Sequence, residues 1–451
     1  MSPPFAGNPF LAAPVAAAAA PPARRVRPAL GWQLVLWFLL LPMFFQIFHY
    51  KQEAGPLYVL SKGWPLLCAP ALLYGLLRLR LPDGVLYMAA IAYALVVTPF
   101  MGLMELPVGL VDAMLSTIKA WPFTYYFAAA ALLVLLRPSE VALRRAAVGF
   151  GMATFAVMLL LWVTVPAERF QPVPFGANLF SWDEGRGNFI RMPMMLAELA
   201  LFWMGRRLLR EGRLWQLLLV VGAIVSMMTI YKARLPTGVS AVILLMNLAL
   251  WLPVRWRWGL GALAMLPATA AALVLAPSIP TLLGEIFDES LFIRLRSVSA
   301  AWDWIIHDPL RLLLGSGSIS TWSSITLADV LNSRDFWLTD IGWLGVLMEF
   351  GLAGTALIVL IHARALITIR ALRHDDPFRA ALGDYVLFEI MCSAVYSVMF
   401  APGPVVTVAA IAWWLRARDQ AGLRAEDAGW PPRDTAYARP TPPPVLRPAG
   451  G

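Results

Sequence analysis

The stretch "LWQLLLVVGAIVSMMTIYKARLPTGVSAVILLMNLALW", residues 214–251, decides how the chain is read. Two apolar runs, 214–231 and 236–253, flank a short break that carries Lys232 and Arg234. Each run approaches the roughly 20 apolar residues needed to cross a hydrocarbon core. The rest of the chain agrees: of 451 residues, 60% are hydrophobic and 14% charged, with a mean hydropathy of +0.69. Soluble chains run nearer to about 45–50% apolar and about 25% charged. The composition therefore specifies a polytopic membrane protein. The net charge of +9 does not point to nucleic acid. It comes mostly from arginines between apolar runs, where the positive-inside bias places them.

About twelve such runs stand out, at 29–49, 56–77, 84–104, 113–136, 146–166, 190–205, 214–231, 236–253, 258–277, 339–360, 383–400 and 402–415. The expected fold class is all-α, with about 12 transmembrane helices and one long, partly helical outer loop, 278–338. Residues 29–277 form the first nine spans and 339–415 the last three. Lys62 and Lys119 lie inside the second and fourth runs, each shortly before a Trp-Pro pair. Those spans should bend there or begin later. Residues 1–28 are Pro/Ala-rich with their basic residues after the apolar part, the reverse of a signal peptide. They read as a disordered cytoplasmic tail, as does the Pro/Arg-rich end, 416–451. Cys68 and Cys392 fall in apolar runs, and no disulfide or metal spacing is visible.

Charge sets the orientation. With the N-terminus inside, 24 of the 36 basic residues fall on the inner side, in short loops and the tail. Lys232 and Arg234 then lie on the outer side, together with all the other lysines of the chain. Such outer charges either meet lipid headgroups or serve a site. Two longer outer loops carry more of them. The first, 167–190, runs into "RMPMMLAELAL" and presents Arg186 and Arg191. The second, 278–338, contains "LFIRLRSVSAAWDWIIHDPLRLLLGSGSIS". Its residues 294–307 predict an amphipathic helix, with Leu295, Val298, Trp302 and Ile305 on one face. Arg296, Asp303 and His307 share another face. Pro309 should end that helix, and "GSGS" at 315–318 should form a turn, one whose backbone N–H groups are suited to a phosphate.

Arginine is the side chain for paired phosphate oxygens, because its planar fork binds two at once and stays charged. Arg191, Arg234 and Arg294 or Arg296 around one cavity could hold a pyrophosphate. The plainer alternative pairs Arg294 or Arg296 with Asp288, Glu289 or Asp303. Asp340 opens the tenth run at the outer boundary, within reach of an outer substrate. Glu349 lies about 13 Å deeper along a helix. For Glu198, Glu349 and Glu389, interhelical hydrogen bonding is the expectation. Trp302, Trp304, Trp322 and Trp337 suit stacking on sugar rings, and equally an interfacial aromatic belt.

Three ordered segments resemble the O-antigen ligase and polysaccharide polymerase superfamily of bacterial membrane proteins. "YKARLPTGVSAVILL" is similar to that family's Ser-Arg-Gly turn opening a helix, with Arg234 in the arginine's place. "RLRSVSAAWDWIIHDPLRLLLGSGS" is similar to its Arg…Trp…His-Pro-Leu-x-Gly-x-Gly stretch, through Arg294 or Arg296. "LTDIGWLGVLMEFGLAG" is similar to its His-Asn-x-Tyr-Leu…Glu-x-Gly-Leu-x-Gly segment, through Glu349, Gly351, Leu352 and Gly354. A weaker likeness joins "RMPMMLAELAL" to a Pro-Asn-x-x-Ala helix start. The resemblance covers about residues 180–360. It departs where ligases carry His-Asn, since Asp340 and Ile341 stand there. None of His49, His307, His362 and His374 occupies that place.

The resemblance implies transfer of a glycan from undecaprenyl pyrophosphate to a sugar hydroxyl, outside the inner membrane, with no cofactor or metal. The departure favours a repeat-unit polymerase over a ligase. It implies Arg234, Arg294, Arg296 and Asp340 as catalytic residues. Arg186, Arg191, Lys232, His307, Trp302 and Trp304 would bind substrate. Implied partners are the lipid-linked oligosaccharide, membrane lipids, a chain-length regulator and export machinery, with both termini cytoplasmic. A ligase or a lipid-linked oligosaccharide flippase is the alternative, though the two halves show none of the internal similarity common in transporters.

Overall fold

The computed structural model of the chain describes residues 30–49, 55–172, 178–253, 279–320, 323, 325–333, 336–372 and 376–421, with backbone alone for 279–291. The expected ninth span, 258–277, the tail 1–28 and residues 422–451 lie outside the described residues, as does Trp322.

The described chain is mostly helical. Its first half holds α1 (Leu30–Phe44), α2 (Pro56–Leu67), α3 (Ala69–Arg78), α4 (Gly84–Ala92), α5 (Thr98–Glu105), α6 (Leu110–Leu115), α7 (Tyr125–Leu136) and α8 (Glu140–Thr164). Then follow α9 (Met195–Glu211), α10 (Leu214–Ser226) and α11 (Arg234–Trp251). The remainder holds α12 (Ile279–Ile306), α13 (Pro309–Leu314), α14 (Leu327–Val330), α15 (Gly342–Arg370), α16 (Pro377–Cys392) and α17 (Gly403–Gln420).

Seven helical stretches among the described residues are long and apolar enough to cross a membrane: 56–78, 84–105, 110–136, 140–164, 214–231, 234–251 and 342–370. That is fewer than the expected runs, for a physical reason. α9 and α16 are only 17 and 16 residues long, shorter than a full crossing, and α17 carries Arg416, Arg418 and Asp419 in its last turns, which dilute its hydropathy. Neighbouring helices cover their apolar faces instead: residues 196–202 of α9 and 403–412 of α17 are buried throughout. α17 also carries the chain to Gln420, past the expected start of the tail at 416.

The all-α expectation needs one correction. The first outer loop folds into a small sheet, β1 (Gln171–Pro172), β2 (Phe180–Asp183) and β3 (Gly187–Ile190). β1 pairs parallel and β3 antiparallel with the central β2. The Trp-Pro positions behave as their sequence demands. Pro65 lies inside α2, which breaks at Cys68, and Pro122 lies in a 3-10 stretch, Ser116–Thr124. Pro309 closes α12 as expected but also opens α13 at its first turn, where its missing N–H does no harm. Asp308 caps that turn by accepting from Leu310 N at 2.8 Å.

Small residues set the close helix approaches. Gly75 lies against the Phe127 carbonyl and Gly151 against the Leu196 carbonyl, with no room for a Cβ. Tyr87 and Tyr126 stack at 3.9 Å in the core.

Ion pairs fasten one end of the bundle. Arg379 is 2% exposed and donates to Glu140 at 2.7 Å and to Asp419 at 2.6 Å. Arg206 grips Asp384 through two bonds of 2.7 and 2.6 Å, and Asn247 shares the same carboxylate. Arg144 pairs with Asp376 and Arg364 with Asp83. Since α16 starts at this end and spans 16 residues, its far end lies about 24 Å away.

The glycine segment at 315–318 departs furthest from expectation. α15 breaks at Gly351, whose φ of 61° and ψ of −174° suit glycine alone. The break frees the carbonyls of Met348 and Glu349. Ser316 N donates to the first at 2.8 Å and Gly317 N to the second at 3.2 Å. Residues 315–318 are buried, so these N–H groups are spent inside the protein and hold no phosphate. The Tyr93 hydroxyl bridges the junction, 2.9 Å from Leu314 O and 2.8 Å from Phe350 O. The Glu349 carboxylate accepts from Lys119 and, at 2.9 Å, from Ser318 Oγ.

Gly317 (φ 81°) lies against the backbone of Gly102 and Thr98. Gly317→Ala should cost at least about 2 kcal/mol, from left-handed strain and the backbone clash together. Thermal unfolding of the detergent-solubilised protein should fall by several degrees. An unchanged transition would mean that the segment is not docked as described.

Candidate functional site

At the other end of the bundle the cations are arranged differently. The hairpin β2–β3 presents Arg186 in its turn and Arg191 just after it. Both guanidinium groups stack on one ring, Phe189, at 5.0 and 5.4 Å. The one ring attracts both cations. Arg186 is also paired with Asp183 at 2.9 Å. Arg191 has no carboxylate at ion-pair distance among the described residues. Burial lowers its pKa, and the neighbouring Arg186 charge acts the same way. An anion placed there would relieve both effects.

Lys232 joins this group. A π-type turn, Met227–Tyr231, ends α10, and Lys232 follows in a left-handed conformation with φ 52°. That conformation costs a lysine about 1 kcal/mol or more. It directs the ammonium to Arg186 O, 2.5 Å away. Lys232 therefore clamps the hairpin from beneath rather than merely anchoring a turn at headgroups.

The opposite wall comes from α12 and α15. Arg294 lies 3.9 Å from Asp340, which ends a 3-10 turn, Leu338–Asp340, immediately before α15. The acids weighed from sequence as partners of Arg294 were Asp288, Glu289 and Asp303; the structure instead brings it to Asp340. Burial raises the Asp340 carboxyl above its ordinary range, against the pull of Arg294, a Thr339 hydroxyl at 3.4 Å, and Arg191. Arg191 is thus within electrostatic reach of Asp340.

Three helices begin here: α9 after Arg191, α11 after Lys232 and α15 after Asp340. None has a side-chain cap at its N-terminus. Their uncapped N-termini and dipoles add positive potential to four cations. Beneath lie Tyr231 and the buried Glu198, within electrostatic reach of Arg191 and of Glu389 respectively. Glu389 accepts from Tyr385 at 2.6 Å within α16, where an interhelical bond was expected.

Other expected site residues fall elsewhere. Arg234 is exposed at the first turn of α11, on the same end, and Arg296 is exposed on α12. Trp304 is committed: its indole donates to Ser316 Oγ at 2.9 Å, and its ring carries Arg311 at 4.0 Å. Arg311 in turn binds Glu105 at 2.5 Å. Trp302 is exposed, and His307 lies with Nδ1 2.6 Å from Asp303 O. The contacts of Trp304 and His307 are with their own segment, not with the Arg191–Asp340 group. Phe189, Tyr231 and Tyr396 belong to the site and carried no sequence signal, as each sits in or beside an apolar run.

No known protein family and no curated protein matches the chain.

The site predicts a measurable affinity for inorganic pyrophosphate. Arg191→Ala should weaken it by about tenfold or more, the size of one charge-assisted contact. Arg296→Ala should change it little. Calorimetry at two salt concentrations checks both, since contacts of this kind weaken with salt. Equal affinity in Arg191→Ala and the unaltered protein would remove Arg191 from any anion site.

Proposed function

We propose that the protein is a polysaccharide polymerase of the inner membrane. It joins oligosaccharide repeat units carried on undecaprenyl pyrophosphate, at the outer face. The observation that carries this reading is the convergence of Arg186, Arg191, Lys232 and Arg294 on three uncapped helix N-termini, with the carboxylate of Asp340 facing them. A site so positive calls for a polyanion. A single carboxylate raised by burial is suited to take a proton near neutral pH.

In this reading the diphosphate sits against Arg186 and Arg191. The acceptor hydroxyl lies beside Asp340. The hydroxyl oxygen attacks the anomeric carbon of the donor sugar, and the bond from that carbon to the diphosphate oxygen breaks. The bond electrons leave with the diphosphate, whose charge the arginines and helix ends stabilise. The hydroxyl proton passes to Asp340. Arg294 keeps that carboxylate oriented. Arg234 and Arg296, exposed at the same end, suit the approach of the anionic lipid rather than the bond-breaking step. Both termini lie in the cytoplasm, which puts the ion-paired end of the bundle inside and agrees with the charge census.

Cells lacking the protein should accumulate single lipid-linked repeat units on the outer leaflet. Accumulation on the inner leaflet would instead identify a flippase. Complete polymer left unattached to its final carrier would identify a ligase. With the purified protein, Asp340→Asn should lower turnover by about 10²–10⁴-fold. It should also abolish the acid limb of the pH–rate profile, which should lie above the ordinary carboxylate range because burial raises this group. A variant that retains both turnover and limb would exclude Asp340 as the base.

A further inference from the structure

α16 stops at Cys392, and the chain turns through residues 393–397 before a 3-10 turn, Val398–Phe400. Backbone bonds fix that turn. Val395 N and Tyr396 N both donate to Cys392 O, at 3.1 and 2.9 Å. Ser397 N donates to Thr339 O at 2.9 Å. The turn is thus bonded to the residue that precedes Asp340. Gly342, with φ 53°, lies so close to the Ser393 and Ala394 carbonyls that a Cβ would collide with both. Two backbone segments are locked face to face, one bearing Asp340 and the other Tyr396.

The Tyr396 ring emerges half-buried from this junction. The charges around it are those of Arg294, Asp340 and Arg186, so it stands between the two walls of the site. Among the described residues no group lies at hydrogen-bond distance from its hydroxyl. The hydroxyl therefore keeps its donor for a ligand. A headgroup-anchoring tyrosine needs neither a rigid backbone mount nor two facing arginines. A substrate-binding tyrosine needs both.

We propose that Tyr396 binds substrate: its hydroxyl donates a hydrogen bond to the diphosphate held by Arg186 and Arg191, on the side facing Asp340. This rests on the diphosphate reading of the site. Tyr396 is then a neutral donor among cations. A directional donor on that side orients the diphosphate so that its glycosidic oxygen faces the Arg294–Asp340 pair.

The test uses the full-length protein in detergent with geranyl diphosphate, a soluble short-chain probe, and calorimetry. Tyr396→Phe removes only the hydroxyl and leaves every backbone bond of the turn. It should weaken binding by about tenfold, as expected for one hydrogen bond to a charged acceptor, with an unchanged thermal transition. Arg191→Ala, measured in parallel, separates the two levels of the argument. Loss of affinity in Arg191→Ala with none in Tyr396→Phe overturns the role of Tyr396 and leaves the diphosphate site standing. Full affinity in both variants overturns the site and Tyr396 together.

Discussion

The break at Gly351 and the segment that fills it set the geometry of everything at the Asp340 end. A helix interrupted within an apolar bundle leaves carbonyls without donors, and such groups cannot stay unpaired there. Ser316 and Gly317 supply the donors, so residues 315–318 must enter the bundle. Only glycine at 315, 317 and 351 permits that approach, because each lies against backbone with positive φ. Glu349 comes with the break and finds Lys119 and Ser318. Removing one partner of such a buried pair strands the other charge, typically at about 3–5 kcal/mol. Backbone bonds, an ion pair and a tyrosine bridge thus hold the plug at one junction.

The plug also explains how an irregular outer region can hold a precise arrangement. It ties the end of α13 into the middle of α15 and so fixes α12 against the first turns of α15. Ala301 and Ile305 pack there with Phe336, Ile341 and Met348. Ser297 Oγ accepts from Trp337 N at 3.2 Å. Arg294 and Asp340 stand at the outer edge of that seam. Their separation follows from helix packing rather than from the flexible length of an arginine.

Much of this was legible in the chain. The apolar runs gave most helices, and the two Trp-Pro pairs marked real breaks. Arg191, Lys232, Arg294 and Asp340 were singled out from charge placement and loop position, and the structure gathers them. The rest was not legible for definite reasons. Hydropathy cannot distinguish a helix covered by lipid from one covered by other helices, so α9, α16 and α17 read as ordinary spans. "GSGS" has the composition of a turn, and nothing local reveals that a glycine over thirty residues later opens a slot for it. Trp304 looked like a sugar platform, but its partners, Arg311 and Ser316, meet it only through that docking. Tyr396 lay inside a run, 383–400, whose helix ends at Cys392.

The charge census takes on a different meaning once partners are known. Arg144, Arg206, Arg364 and Arg379 each face an acid at the ion-paired end, and they tie helices together. At the Asp340 end, Arg191 has no acid at ion-pair distance among the described residues, and Arg294 reaches its acid only at 3.9 Å. At that distance the guanidinium makes no hydrogen bond to the carboxylate, and it keeps N–H donors for another group. Burial around Asp340 and Arg191 works against both charges. A structural ion pair would close that gap. The gap suits a third, anionic member, as the proposed function requires.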